Sequence, residues 1–223
     1  MGLDKRDFVY YLTLKFKVLY KIGGIMEKHN AELEISMIKQ IMDDSKKIVV
    51  DDGKGYIIWG ILIVIALLGT YFSILSKLYY FIGWLWITTI GIGWVYTIIV
   101  HAVKGHKKKV RTFAGKILGA LWFSCGISMT IVGFVGTGTG SFGAYTISPM
   151  MSVILGIAYF VTGVINGQGW VRNLAAGWWI GAIVTFIWTG INSLLVFAGM
   201  MVVLQIIPGI VLYSKFKKEY QAG

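Results

Sequence analysis

From residue 53 to residue 218 the chain contains no aspartate or glutamate; nine of its ten carboxylates precede that stretch and Glu219 follows it. Intramembrane acids and bases are the usual carriers of proton relays and ion-coupled transport. The central parts of the apolar runs hold no Asp, Glu, Lys or Arg, which argues against a proton-coupled antiporter and leaves backbone carbonyls to bind any cation. Cysteine is nearly missing too: Cys125 stands alone, which excludes an intramolecular disulfide and argues against a cysteine-built metal site. Of the three histidines, none follows His106. A serine nucleophile needs a base within hydrogen-bond reach, so Gly138-Thr139-Gly140-Ser141 is not read as a protease site. The His-Glu-x-x-His signature of a zinc protease is absent as well. No enzymatic activity, metal or other cofactor is expected.

What the chain has in place of charge is hydrocarbon. Its 223 residues are 57% hydrophobic and 14% charged, with a mean hydropathy of +0.73, where a soluble domain carries about a quarter charged residues. A helical span needs about 20 mostly apolar residues, and the runs 56–75, 78–103, 117–136, 150–166, 173–190 and 191–213 qualify. Pro149 opens the fourth at a helix-start position. The last two are joined so tightly that they should form a helical hairpin. The expected fold is an all-α polytopic membrane bundle of about six transmembrane helices, preceded by a cytoplasmic amphipathic helix. The expected organisation is a leader or interfacial helix over 1–25, the amphipathic helix in 26–55, the membrane domain over 56–213 and a basic tail over 214–223.

The net charge of +11 would raise nucleic-acid binding in a soluble protein. Here the bases sit at membrane borders, so no nucleic-acid partner is expected. With the N-terminus inside, 20 of the 21 basic residues fall on the cytoplasmic side, and only Lys77 falls outside. The positive-inside rule therefore places both termini in the cytoplasm. The basic loop Lys104–Lys116 can meet anionic lipid headgroups of the bilayer. Trp59, Trp84, Trp86, Trp178 and Trp188 are read as interface anchors.

In the N-terminal segment, Asn30 can cap a helix from Ala31 to about Val49. Leu33, Met37, Ile38, Ile41, Met42, Ile48 and Val49 recur at helical spacing, and Glu32, Glu34, Lys39, Asp43, Lys46 and Lys47 fill much of the other face. Such a helix lies on the membrane or pairs with a protein partner or a second copy. Gly23-Gly24-Ile25-Met26 is compatible with a ribosome-binding stretch before a start codon, so Met26 is a candidate true start.

Few polar groups lie within the spans. Gln205 is the only glutamine there, and Ser124 and Ser128 share one helix face; these three are the candidate intramembrane polar contacts, as interhelical glue or as substrate ligands. Gly177 with Gly181, and Gly115 with Gly119, form small-x-x-x-small pairs that let helices approach. Pro208 should kink or end the sixth helix. The uncharged segment GFVGTGTGSFGAYTIS (133–148) is either a flexible connection or a re-entrant segment. Gly83-Trp84 with Trp94, and Gly177-Trp178 with Trp188, share one spacing, which would fit an inverted repeat of three spans.

The helix AELEISMIKQIMDDSKK, the entry Tyr56-Ile57-Ile58-Trp59-Gly60 and the exit Ile207-Pro208-Gly209 make the chain after Met26 resemble a group of small uncharacterised bacterial six-span inner-membrane proteins. The resemblance implies the bacterial cytoplasmic membrane and supplies no site residues. Two functions remain open. One is a non-catalytic accessory, sensor or scaffold subunit. The other is a small-solute permease, substrate-binding membrane subunit or channel. A polar cavity at Gln205, Ser124 and Ser128 would favour the second, and a dry, filled centre the first.

Overall fold

The computed structural model describes residues 53–106 and 113–221, together with Lys17, 33–36 and Lys39. The chain divides into two compact units, Met1–Lys47 and Ile48–Gly223. In the first, residues 33–36 and Lys39 are helical, and the Ser36 hydroxyl donates to the Leu33 carbonyl at 2.8 Å. The rest of the expected amphipathic helix, its Asn30 cap, the Met26 start and the loop 107–112 lie outside the described residues.

The second unit is helical throughout, with no strand among the described residues. Its elements are α1 (Lys54–Leu75), α2 (Tyr80–His106), α3 (Phe113–Thr130) continued by a π-helical stretch (Ile131–Gly136), α4 (Ile147–Ile165), α5 (Gly169–Ile187) and α6 (Asn192–Met201), which runs through a second π-helical stretch (Val202–Ile206) into α7 (Ile207–Gln221). Among the described residues six helical segments are long and apolar enough to cross a membrane, the last being α6, its π stretch and α7 through Lys218. The chain is therefore a multi-pass helical membrane protein. Helices are the open-chain solution in lipid because they satisfy every backbone group internally.

The spans do not contribute equally to the interior. α4 and α5 form the most extensive pair, α1 packs on α2 and along the whole sixth span, and α3 leans on α4. The α4–α5 approach depends on missing side chains: a Cβ on Gly163 would run into the Arg172 backbone, and the Trp179 indole fills the space over Gly156. The connecting turn closes by paired bonds, Gln168 N–H to the Gly163 carbonyl and Gly167 N–H to that of Val164. This is a Schellman cap, with Gly167 at φ +63° in the left-handed position that glycine tolerates best. The α1–α2 turn repeats it, with Leu78 N–H to Ser73 and Lys77 N–H to Ile74. There the left-handed residue is Lys77, at φ 59°.

Four tryptophans tie consecutive spans together. The indole N–H of Trp59 donates to Thr97 Oγ1 at 3.1 Å, Trp86 to Thr70 at 3.0 Å, Trp94 to Thr130 at 3.5 Å and Trp122 to Thr162 at 3.1 Å. Thr70, Thr97 and Thr130 each spend their own proton on the carbonyl four residues back, at Ala66, Gly93 and Gly126. Their oxygens are thereby turned outward as acceptors. A small residue stands four positions before every one of these threonines, Ala158 serving Thr162. At Gly93 and Gly126 the partner indole covers the space where a side chain would be.

One expectation is corrected, and two open alternatives are narrowed. Trp178 is not an interface anchor but fully buried; Trp59 and Trp86 bridge helices, and Trp84 and Trp188 stay about two-thirds exposed at 67% and 69%. The sixth helix does not end at Pro208. A proline at 208 has no N–H for the Leu204 carbonyl, and the helix widens before it, with Ile207 N–H reaching back five residues to Val202, then continues to Gln221. The segment 133–148 is not re-entrant. Helix extends into it from both sides, and the exposed remainder, Thr139–Gly143, is a short turn in which Phe142 folds over Gly136.

Candidate functional site

The interior is built from rings. Tyr56 of α1, Trp122 of α3 and Tyr159 of α4 meet edge to face, with centroids 5.3, 5.6 and 5.7 Å apart. Tyr159 continues to Trp178 of α5 at 5.9 Å, and Trp178 to Phe197 of α6 at 6.1 Å. Five of the six spans thus contribute one ring each. Edge-to-face contacts between aromatic faces and edges add about 0.5–1.5 kcal/mol per pair beyond the area they bury. Leu155, Ala175, Ala198 and Met201 fill the space around them.

Gln205 lies at the margin of this centre. It is 4% exposed, sits in the π stretch Val202–Ile206, and its Cγ opposes Gly60 of α1, where a Cβ would be 3.4 Å away. Its Oε1 and the Nε1 of Trp178 have no hydrogen-bond partner among the described residues; at the α4–α5 turn the same holds for Asn166 Oδ1 and Gln168 Oε1. The π widening is what presents Gln205, since an extra residue per turn shifts the side chains that follow.

Ser124 and Ser128 do not join it. Both are exposed on the outer side of α3, and the Ser124 hydroxyl donates to the Leu121 carbonyl at 2.9 Å. The buried face of α3 is set by Ala114, Leu118 and Cys125, and the serines project elsewhere. The two glycine pairs also part company. Gly177 and Gly181 seat Leu204 and Met200 of the sixth span. At Gly119 a side chain would meet nothing within 4 Å, so the Gly115–Gly119 pair does not bring a helix against Gly119, because the α3 contact face lies one residue away. The tryptophans behind the repeat expectation occupy opposite environments: Trp84 is exposed, and Trp178 is sealed.

The aromatic centre was not anticipated. Its one sequence signal is aromatic residues inside apolar runs, at Trp122 and Tyr159, that are not among the border tryptophans. Among the described residues no group of three His, Cys, Asp or Glu side chains comes together to hold a metal. No protein-family model matches the chain, and no curated protein or solved structure is similar to it.

Proposed function

We propose that the protein is a non-catalytic accessory, sensor or scaffold subunit of a bacterial cytoplasmic membrane, with its basic loop against anionic headgroups and a protein partner or a second copy bound through its exposed surfaces. The observation that carries this reading is the centre itself. Tyr56, Trp122, Tyr159, Trp178 and Phe197 interlock in the interior, and two of the three polar candidates face outward. A packed aromatic interior supports a rigid platform better than a conduit. Both termini on the basic side would place the amphipathic helix and the tail together in the cytoplasm. Purification of the full chain in mild detergent after in-cell crosslinking tests the reading. One partner, or a defined oligomer, should be recovered at fixed stoichiometry; repeated recovery of the monomer alone counts against it.

The permease reading is kept alive by one feature, the unpartnered Gln205 Oε1 and Trp178 Nε1. Buried polar atoms of this kind ask for a water, a ligand or a second conformation. Thermal stabilisation of the purified protein across a panel of small neutral solutes discriminates the two, since a platform gives a flat response.

A further inference from the structure

The end of the α1–α2 pair farthest from Lys54 carries a groove of about 370 Å³, lined by Gly69 and Ser73 of α1 and by Phe81, Trp84, Leu85 and Thr88 of α2. We propose that this groove binds one acyl chain of an anionic glycerophospholipid whose phosphate pairs with Lys77, in the leaflet opposite the basic side of the protein.

Three observations converge on that occupant. The lining is apolar apart from two hydroxyls, one of which, Thr88, is already committed to the Trp84 carbonyl at 2.8 Å. A chain of methylenes needs no further polar partner there. The groove ends beneath the turn that carries Lys77: the Leu78 N–H bonds the carbonyl of Ser73, a lining residue. Around it Tyr79, Tyr80 and Trp84 are 60%, 68% and 67% exposed, and Trp and Tyr are the side chains enriched at headgroup depth.

Lys77 itself is the second reason. It is the only described residue other than glycine with a positive φ, at a Schellman position where glycine is the favoured residue. It is also the one base that falls on this side of the predicted topology. No carboxylate occurs between residues 53 and 218, so no acid near it in sequence can neutralise it. An exposed lysine at the end of an apolar groove is placed to pair with a lipid phosphate while the groove takes the chain, since a phospholipid supplies the anion and the hydrocarbon together. This inference is independent of the accessory reading.

Native mass spectrometry of the full chain, equilibrated with dioleoyl phosphatidylglycerol or dioleoyl phosphatidylcholine, tests it. The wild type should retain phosphatidylglycerol preferentially. Lys77→Gly keeps the turn and removes the charge, and should lower phosphatidylglycerol retention about five-fold without changing phosphatidylcholine; Lys77→Arg should behave as wild type. Ser73→Leu fills the groove and should lower both lipids. Equal phosphatidylglycerol retention by Lys77→Gly and wild type overturns the proposal, as does unchanged retention of both lipids by Ser73→Leu. Soluble glycerol phosphate supplies the headgroup without the chain; thermal stabilisation by it equal to that by the lipid would also overturn the proposal, because the groove would then have no part.

Discussion

Gly53 and Gly209 meet backbone to backbone, at the entry of α1 and two residues into α7. A Cβ on Gly53 would strike the Gly209 carbonyl oxygen and come within 2.8 Å of the Tyr213 nitrogen, and one on Gly209 would lie 2.9 Å from both Ile57 Cγ1 and Tyr56 Cβ. Gly53 also holds φ +65°, so a side chain there meets both a clash and a strained backbone. This contact joins the first and last spans directly after the π stretch and Pro208.

Gly209→Ala should therefore destabilise the protein by about 1–3 kcal/mol through overpacking, and Gly53→Ala by more. Gly119→Ala is the internal comparison. It adds the same methyl where nothing lies within 4 Å, and its higher helix propensity should leave stability unchanged or slightly raised. Thermal melts of the detergent-solubilised variants give the order: Gly53→Ala lowest, Gly209→Ala next, Gly119→Ala at or above wild type.

The Trp122–Thr162 bond is the most enclosed of the four interhelical indole bonds, with Thr162 only 2% exposed. Thr162→Val keeps the shape and removes the acceptor. Interhelical hydrogen bonds in membrane proteins average about 0.6 kcal/mol by double-mutant cycle, and this one should reach or exceed that, because Trp122 Nε1 would be left in an aromatic interior without a partner. A cycle with Trp122→Phe measures the coupling, and a value of zero would remove the bond from any structural role.

The six spans were readable because hydropathy sums over some 20 residues and tolerates errors at individual positions. Which face of each span turns inward was not readable, for a physical reason. Lipid tails are as apolar as a protein core, so Ile180, 62% exposed, and Leu155, 4% exposed, look alike in sequence. Ser124 and Ser128 are exposed for the same reason: a hydroxyl such as that of Ser124, which donates to its own helix backbone, can face lipid at little cost. Gln205 was legible because an amide is harder to leave exposed to hydrocarbon. Pro208 is legible as a perturbation, but a proline that ends a helix and one that a π turn absorbs look alike in sequence. The small-x-x-x-Thr pattern, by contrast, is visible in the sequence at 66/70, 93/97, 126/130 and 158/162, and could have been matched with the tryptophans of neighbouring spans.

Lys77 gives a prediction whatever binds beside it. Glycine accepts the left-handed conformation without the clash a Cβ brings, which costs an L-residue roughly 1–2 kcal/mol. Lys77→Gly should raise the midpoint of thermal unfolding in lipid-free detergent, with a gain of about 1 kcal/mol. Lys77→Ala, which removes the charge but keeps the Cβ, should give none of that gain, and an equal gain from both variants would point to charge and away from backbone strain.

Gln205 decides between a filled interior and an occupied one. Its Oε1 is buried without a partner among the described residues, and leaving such a group unsatisfied costs about 1–3 kcal/mol. If the site is dry, Gln205→Leu removes that penalty at nearly equal volume and should hold or raise the unfolding midpoint, while Gln205→Ala lowers it by opening a cavity beside Gly60. If a water or solute holds the amide, Gln205→Leu destabilises as well, because it discards a made bond and strands the bound molecule. The accessory reading expects the first result. A destabilised Gln205→Leu that also loses solute-induced stabilisation would transfer the argument to the permease, with Gln205 and Trp178 as its contacts.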